Sequence, residues 1–114
     1  MPFPVLTIDV AHPPRHPDAV DAELAEAWST IRNSPSLRLL KVIHGRGASG
    51  SGGSTRELVR NWAFRQQAKC RAVIEGESYT LSDRRTQQLR LEVGQYPDDD
   101  LDRVNSGITI LWIK

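Results

Sequence analysis

The chain has 114 residues, of which 39% are hydrophobic and 25% charged, and a formal net charge of +1; this is the profile of one globular domain, able to bury about two-thirds of its unfolded surface without a metal or disulfide staple. Cys70 is the only cysteine, which excludes an internal disulfide, and its apolar setting suits a packed, inert thiol. The start, MPFPVLTIDV, lacks the basic flank and long apolar run of a signal peptide, and no stretch approaches a membrane span, so the chain reads as a complete cytoplasmic domain with no membrane partner.

Pro4 to Val10 alternates and is rich in β-branched residues, which predicts a first strand ending near Asp9. AHPPRHP, with its three prolines, predicts an extended loop. Pro17 fits a first helical turn, and Val20, Leu24, Ala27, Trp28 and Ile31 then recur on one helical face until Asn33-Ser34-Pro35 stops it. Leu37 to Ile43 is a nearly continuous apolar run, as in a buried strand. A glycine-rich loop follows. Ser54-Thr55-Arg56-Glu57 then has the form of a capping box with Ser54 as N-cap. Leu58, Val59 and Trp62 form the next helix's apolar stripe, with Arg56 and Arg60 on another face.

Cys70 to Glu75 predicts a third strand and Gly107 to Lys114 a last one. The 76–106 segment between them exceeds ordinary loop lengths; Ser82-Asp83 could cap an inserted helix through Val93, closed by Gly94, and PDDDLDRVNSG has the composition of a solvated loop. The order predicts a single α/β domain over residues 1–114: a two-layer sandwich of mixed sheet and two main helices, βαβαββ-like, plus the inserted helix or loop at about 76–106.

The charge is unevenly placed. Residues 38–71 hold eight basic side chains (Arg38, Lys41, Arg46, Arg56, Arg60, Arg65, Lys69 and Arg71) against Glu57 alone, while 1–37 and 72–114 are each net acidic. The excess surrounds residues 42–56, VIHGRGASGSGGSTR. A linker reading fails, because neither flank could make a core alone. Gly45-Arg46-Gly47-Ala48-Ser49-Gly50 matches G-x-G-x-x-G, but three more residues precede the helix cap and the motif follows the second strand, so a nucleotide site is a minor alternative. A G-x-x-x-x-G-K-[ST] loop is excluded because Gly53, not lysine, follows Gly52. The third reading is a main-chain surface for a sugar-phosphate backbone: Gly45, Gly47, Gly50, Gly52 and Gly53 allow close approach, and Arg46, Arg56 and Arg60 supply charge. The plain alternative is a solvated basic face.

Lys41-Val42-Ile43-His44-Gly45-Arg46-Gly47, then Ser51-Gly52-Gly53 and a helix carrying arginines and Trp62, resembles the Smr (small MutS-related) domain, whose HGxG signature follows its second strand. The strand Gly107–Lys114 is similar to that family's last, and Leu6-Thr7-Ile8-Asp9-Val10 resembles the approach to its LDxHG motif. The resemblance covers about residues 5–75 and 106–114. It implies the same βαβαββ-type fold and a DNA- or RNA-binding function, with endonuclease activity in several members. The motif's aspartate carries over to Asp9; its histidine position falls on Ala11 and its glycine position on His12, so His12, one residue on, or His16 would have to reach the same place.

Two expectations follow. One is an endonuclease hydrolysing DNA or RNA phosphodiester bonds, with Asp9 orienting a histidine, acting as base or holding a divalent metal, and His44 or His12 moving the proton. The other is a binding module without the chemistry. Each residue also has a plain role: Asp9 capping its loop, His44 bonded to backbone, His12 and His16 exposed in a loop, Arg56 and Arg60 exposed on a helix. Trp28, Trp62 and Trp112 read as core. Asp98-Asp99-Asp100 reads as a solvated turn before an ion site, and no His/Cys spacing suggests zinc.

Overall fold

The computed structural model describes residues 4–46 and 52–114; the expected phosphate-contacting glycines Gly47 and Gly50 lie outside the described residues. The elements in chain order are β1 (Val5–Asp9), α1 (Pro17–Arg32), β2 (Leu39–Ile43), α2 (Gly52–Arg65), β3 (Cys70–Glu75), α3 (Arg84–Glu92) and β4 (Ile108–Ile113), with 3-10 turns at Gln67–Lys69 and Gly76–Ser78. The expected mixed α/β architecture holds. β2 begins two residues later than the apolar run, because Ser34 Oγ accepts the N–H groups of Ser36 and Leu37 and keeps that stretch in a turn. α2 begins at Gly52, so Ser54 lies within its first turn and not at the N-cap the sequence suggested.

The sheet order is β1-β2-β4-β3. β1 and β2 run parallel, from Val5 opposite Leu39 to Asp9 opposite Ile43, and β4 lies antiparallel between β2 and β3. The last strand therefore completes the middle of the sheet. Strands β1, β2 and β3 all end at one end of the domain, where β4 begins; α1 and α2 begin there too.

Side chains alternate across the strands and divide the core in two. Leu40 and Val42 of β2 and Leu111 and Ile113 of β4 pack with Val20, Leu24, Ala27 and Ile31 of α1 and Val59, Trp62 and Ala63 of α2. Trp28 and Trp62 meet edge to face with centroids 5.8 Å apart. On the other face Leu39, Ile108, Ile110 and Trp112 pack with Tyr79, Leu89 and Tyr96. Residues 76–106 thus cover the sheet's second face. That is why all six residues of β4 are buried.

The insert holds itself down with polar anchors. Asp83 caps α3 by accepting the Thr86 N–H at 3.0 Å, and Gly94 follows with φ +107°, as expected for this helix. A Cβ at Gly76 would fall 1.8 Å from the Asn105 carbonyl oxygen, so two backbone segments close together only over a glycine. The acidic tract is not a solvated turn. Lys41 Nζ, on the insert-facing side of β2, lies 2.8 Å from Asp98 Oδ1 and also pairs with Asp100. Tyr79 donates to Asp98 Oδ2 at 3.0 Å. Burial works to lower the Lys41 pKa, but the two carboxylates outweigh it and hold the ammonium above its usual value. The tract docks because it supplies the counter-charge for a lysine that β2 buries.

Candidate nucleic-acid and hydrolytic site

The site lies where β1 and β2 end. Asp9, the last residue of β1, accepts the N–H groups of Ala11 and His12 on Oδ1, at 2.9 and 3.0 Å. This turns the chain back on itself directly after the strand. The His12 ring comes with it: Nδ1 lies 3.1 Å from Asp9 Oδ1 and 3.0 Å from Oδ2. The ring thus reaches the carboxylate from outside the strand, where alternation no longer dictates direction. Burial acts to raise the Asp9 pKa, but the Ala11 amide and the His12 ring and amide outweigh it and hold the carboxyl below its ordinary value. His12 is 70% exposed at its side chain, so its ring faces solvent while anchored to the carboxylate.

Of the two loop histidines, only His12 reaches Asp9. His16 is the N-cap of α1, its Nδ1 accepting the Asp18 N–H at 3.1 Å. That role was legible only as proximity to Pro17.

His44 occupies a different environment. Asp9 stands opposite Ile43, and His44, one residue further, turns to the α2 side of the sheet. It is 1% exposed. Its Nδ1 donates to Gly45 O at 2.8 Å, leaving Nε2 to accept from the Thr109 hydroxyl at 2.9 Å. Burial pushes its pKa down to about 4, the Arg60 and Arg56 guanidiniums push the same way, and the Gly45 carbonyl only partly opposes them. His44, expected among the catalytic residues, is a buried imidazole with both nitrogens hydrogen-bonded, and among the described residues no hydrogen bond joins it to Asp9. What it does is fix the start of the glycine loop. The N–H groups of His44 and Gly45 both donate to Gly107 O, at 2.9 and 3.1 Å. Gly107 N in turn donates to Asn105 Oδ1 at 2.9 Å, and Asn105 Nδ2 to Asp100 at 3.0 Å.

Arg60, expected among the phosphate contacts, is also committed inside. Its guanidinium grips Glu77 in two hydrogen bonds, of 3.0 and 2.6 Å, and donates to the carbonyls of Ser106 and Ile108. Its Nε reaches Thr109 Oγ1 at 3.3 Å. Glu77 is held below the usual carboxylate range, chiefly by this guanidinium. Thr109, Glu77, Asn105 and Gly107 thus position the loop, and sequence reading missed all four. Only the fold brings them within reach: Thr109 lies 65 residues from His44.

The remaining pieces do converge. Gly45 has φ +82°, a conformation natural to glycine, and a Cβ built there would lie 3.7 Å from the Ala11 Cβ. The His12 turn and the glycine loop are therefore neighbours. Arg46 is exposed, and Arg56 is half-buried near His44; neither makes an ion pair among the described residues. Gly52 and Gly53 open α2, whose N-terminus points to this end. Among the described residues no group of three or more His, Cys, Asp or Glu side chains converges as for a metal ion. No helix among them is long and apolar enough to cross a membrane. No known protein family, curated protein or solved structure matches the chain.

Proposed function

We propose that this chain is a nucleic-acid-binding domain that cleaves phosphodiester bonds, with Asp9 and His12 as its catalytic pair and Gly45–Arg46 beside them as phosphate contacts. The observation that carries this reading is the Asp9–His12 contact next to the loop of positive φ at Gly45. An imidazole whose Nδ1–H is held by a carboxylate presents the lone pair of Nε2 outward, which is the arrangement of a general base. His12 would take a proton at Nε2 from a water, or from a ribose 2′-hydroxyl, as that oxygen attacks phosphorus; the P–O bond to the leaving oxygen then breaks, and that oxygen takes its proton from the His12 imidazolium or from a water. Asp9 orients the ring and stabilises the imidazolium that forms. Arg46, exposed beside Gly45, would hold the phosphate oxygens, recognising the backbone and not base identity. The resemblance to the Smr domain points to the same activity, with His12 in place of the motif's histidine.

A second reading rests on the amides of Ala11 and His12, which give Asp9 a purely local task. In that case the domain binds nucleic acid without cutting it. Titration of labelled single-stranded RNA and DNA, at several salt concentrations, tests what the two readings share. Binding should weaken linearly in log salt, and Arg46→Ala should weaken it similarly across sequences. Binding indifferent to both would overturn the proposal. Cleavage by wild type and by His12→Ala then separates the two readings.

A further inference from the structure

The basic residues that crowd residues 38–71 do not form one surface. Lys41 and Arg60 are neutralised inside the domain by Asp98, Asp100 and Glu77. Arg46 and Arg56 stay with the glycine loop. The rest go to the opposite end of the sheet, where α1 and α2 finish and β2 and β3 begin. Main-chain hydrogen bonds tie that end together: Ile113 N to Arg38 O at 2.9 Å and Lys114 N to Lys69 O at 3.2 Å. Arg32 closes α1, Arg65 closes α2, and a recess of about 240 Å³ is lined by Arg32, Ser34, Arg38 and Lys114. Arg32, Arg38, Arg65, Lys69 and Lys114 are all exposed, and none makes an ion pair with an acidic side chain among the described residues. Arg71 is paired, with Glu92 at 3.2 Å.

Lysine and arginine near helix C-termini complement the helix dipole, which accounts for Arg32 and Arg65. It does not account for Arg38, Lys69 or Lys114: Arg38 donates to the Leu37 and Pro35 carbonyls, at 2.8 and 3.1 Å, and Lys114 to the Ala68 carbonyl at 3.0 Å, contacts that hold the side chains without neutralising their charge, and Lys69 stands in a single 3-10 turn. A second observation lies beside them. Phe64, in the last turn of α2, is 65% exposed. A large aromatic left in water at the same end as exposed cations without acidic partners is the combination that binds single-stranded nucleic acid, with cations on phosphates and a ring under a base.

We propose that the end of the sheet formed by Arg32, Arg38, Arg65, Lys69 and Lys114, with Phe64, is a second contact surface for single-stranded nucleic acid, remote from the Asp9–His12 site. The inference rests on the nucleic-acid reading above. The domain's longest extent is 38 Å, which a strand rising about 3.4 Å per nucleotide covers in roughly 11 nucleotides. A longer strand could therefore touch both ends at once.

The test is a fluorescence-anisotropy titration of a labelled single strand of about 20 nucleotides, long enough by the same rise to span the domain. Four proteins are compared: wild type, Arg46→Ala, Phe64→Ala, and a triple variant Arg38→Gln/Arg65→Gln/Lys69→Gln. The triple variant should bind about tenfold or more weakly, and its log-affinity against log-salt slope should fall by about 2, from three lost phosphate contacts at about 0.7 each. Phe64→Ala should weaken binding about tenfold with the slope unchanged. If wild type does not bind, the nucleic-acid reading itself fails. If wild type binds, Arg46→Ala weakens it and the triple variant matches wild type in affinity and slope, this inference alone is overturned. It is overturned equally if the triple variant binds the strand normally but loses binding to phosphatidylserine vesicles, which would assign the surface to an anionic membrane. Should the triple variant fail to fold, Lys69→Gln alone is read instead, with an expected slope change of about 0.7.

Discussion

His12 Nδ1 lies 3.0 Å from Asp9 Oδ2, and the same carboxylate accepts the His12 main-chain N–H. One side chain thus sets both the path of the loop and the direction of the ring. Asp9→Ala removes the acceptor for two amides and a ring nitrogen, and should cost about 1–2 kcal/mol of stability. Hydrogen exchange checks it: the Ala11 and His12 amides should lose protection in the variant while the amides of β2 keep theirs.

The buried neutral His44 makes stability depend on pH. Its pKa falls from 6.5 to about 4 on folding. Between those values the unfolded chain binds a proton that the folded one refuses, so stability rises with pH across the window. His44 costs nothing above pH 6.5 and becomes a growing penalty as pH falls toward 4, reaching roughly 3 kcal/mol. Urea unfolding at several pH values should show this decline. In His44→Gln, whose amide offers a donor and an acceptor without titrating, the slope over the same window should be shallower.

Arg60 ties α2 to the Gly76–Ser78 turn and to the start of β4. It is mostly buried, with 19% of its side chain exposed. Arg60→Ala would leave the Ser106 and Ile108 carbonyls and the Thr109 hydroxyl each without a donor. A loss of about 2–4 kcal/mol is expected. Arg60→Lys should recover only part of it, since a point charge cannot make the two-pronged contact with Glu77. Chemical denaturation of both variants measures the difference.

Among the described glycines, Gly76 makes the closest approach to another backbone segment. Gly76→Ala places a methyl group where the Asn105 carbonyl oxygen stands, with Ile108 Cγ1 also at 2.6 Å. Neither backbone segment can yield cheaply, so the variant should lose at least about 3 kcal/mol or release the insert from the sheet. Release would expose Tyr79 and Tyr96, and tyrosine fluorescence quenching would report it.

Lys41 and its carboxylates are a buried set, with Asp98 only 4% exposed. Lys41→Met leaves both acids without their counter-charge and should cost about 3 kcal/mol near neutral pH, with part of the loss regained in acid as Asp100, no longer held low by the ammonium, takes up a proton. Thermal melts at pH 7 and pH 4 make the comparison.

The fold was legible where the pattern was local. The limits of β3 and the Pro17 start of α1 agree with periodicity, and Asp83 and Gly94 bound the inserted helix as their chemistry suggests. The burial of residues 76–106 was not legible. Its driving force is the second face of β4, which becomes apolar and unpartnered only once β4 lies inside the sheet. The same holds at the site. Asp9 and the histidine within its loop could be read from spacing, because their bond spans three residues. The pairing of Asp9 with His44 could not be judged, because it turns on strand register: with Asp9 opposite Ile43, the next side chain leaves by the other face. The basic cluster misled for a related reason. Neighbours in sequence between residues 38 and 71 sit at opposite ends of one β-loop-α-β unit, and three of them, Lys41, Arg60 and Arg71, are paired to acids further along the chain.

The most direct test of the account is a cleavage time course on labelled single-stranded RNA and DNA, with and without magnesium, for wild type, Asp9→Asn, His12→Ala and His44→Gln. The account predicts cutting by wild type, a loss of about 100-fold or more in His12→Ala and a smaller loss in Asp9→Asn. His44→Gln, if folded, should retain the chemistry. Cleavage by His12→Ala at the wild-type rate, or its loss in His44→Gln alone, would contradict the assignment of Asp9 and His12 as the catalytic pair.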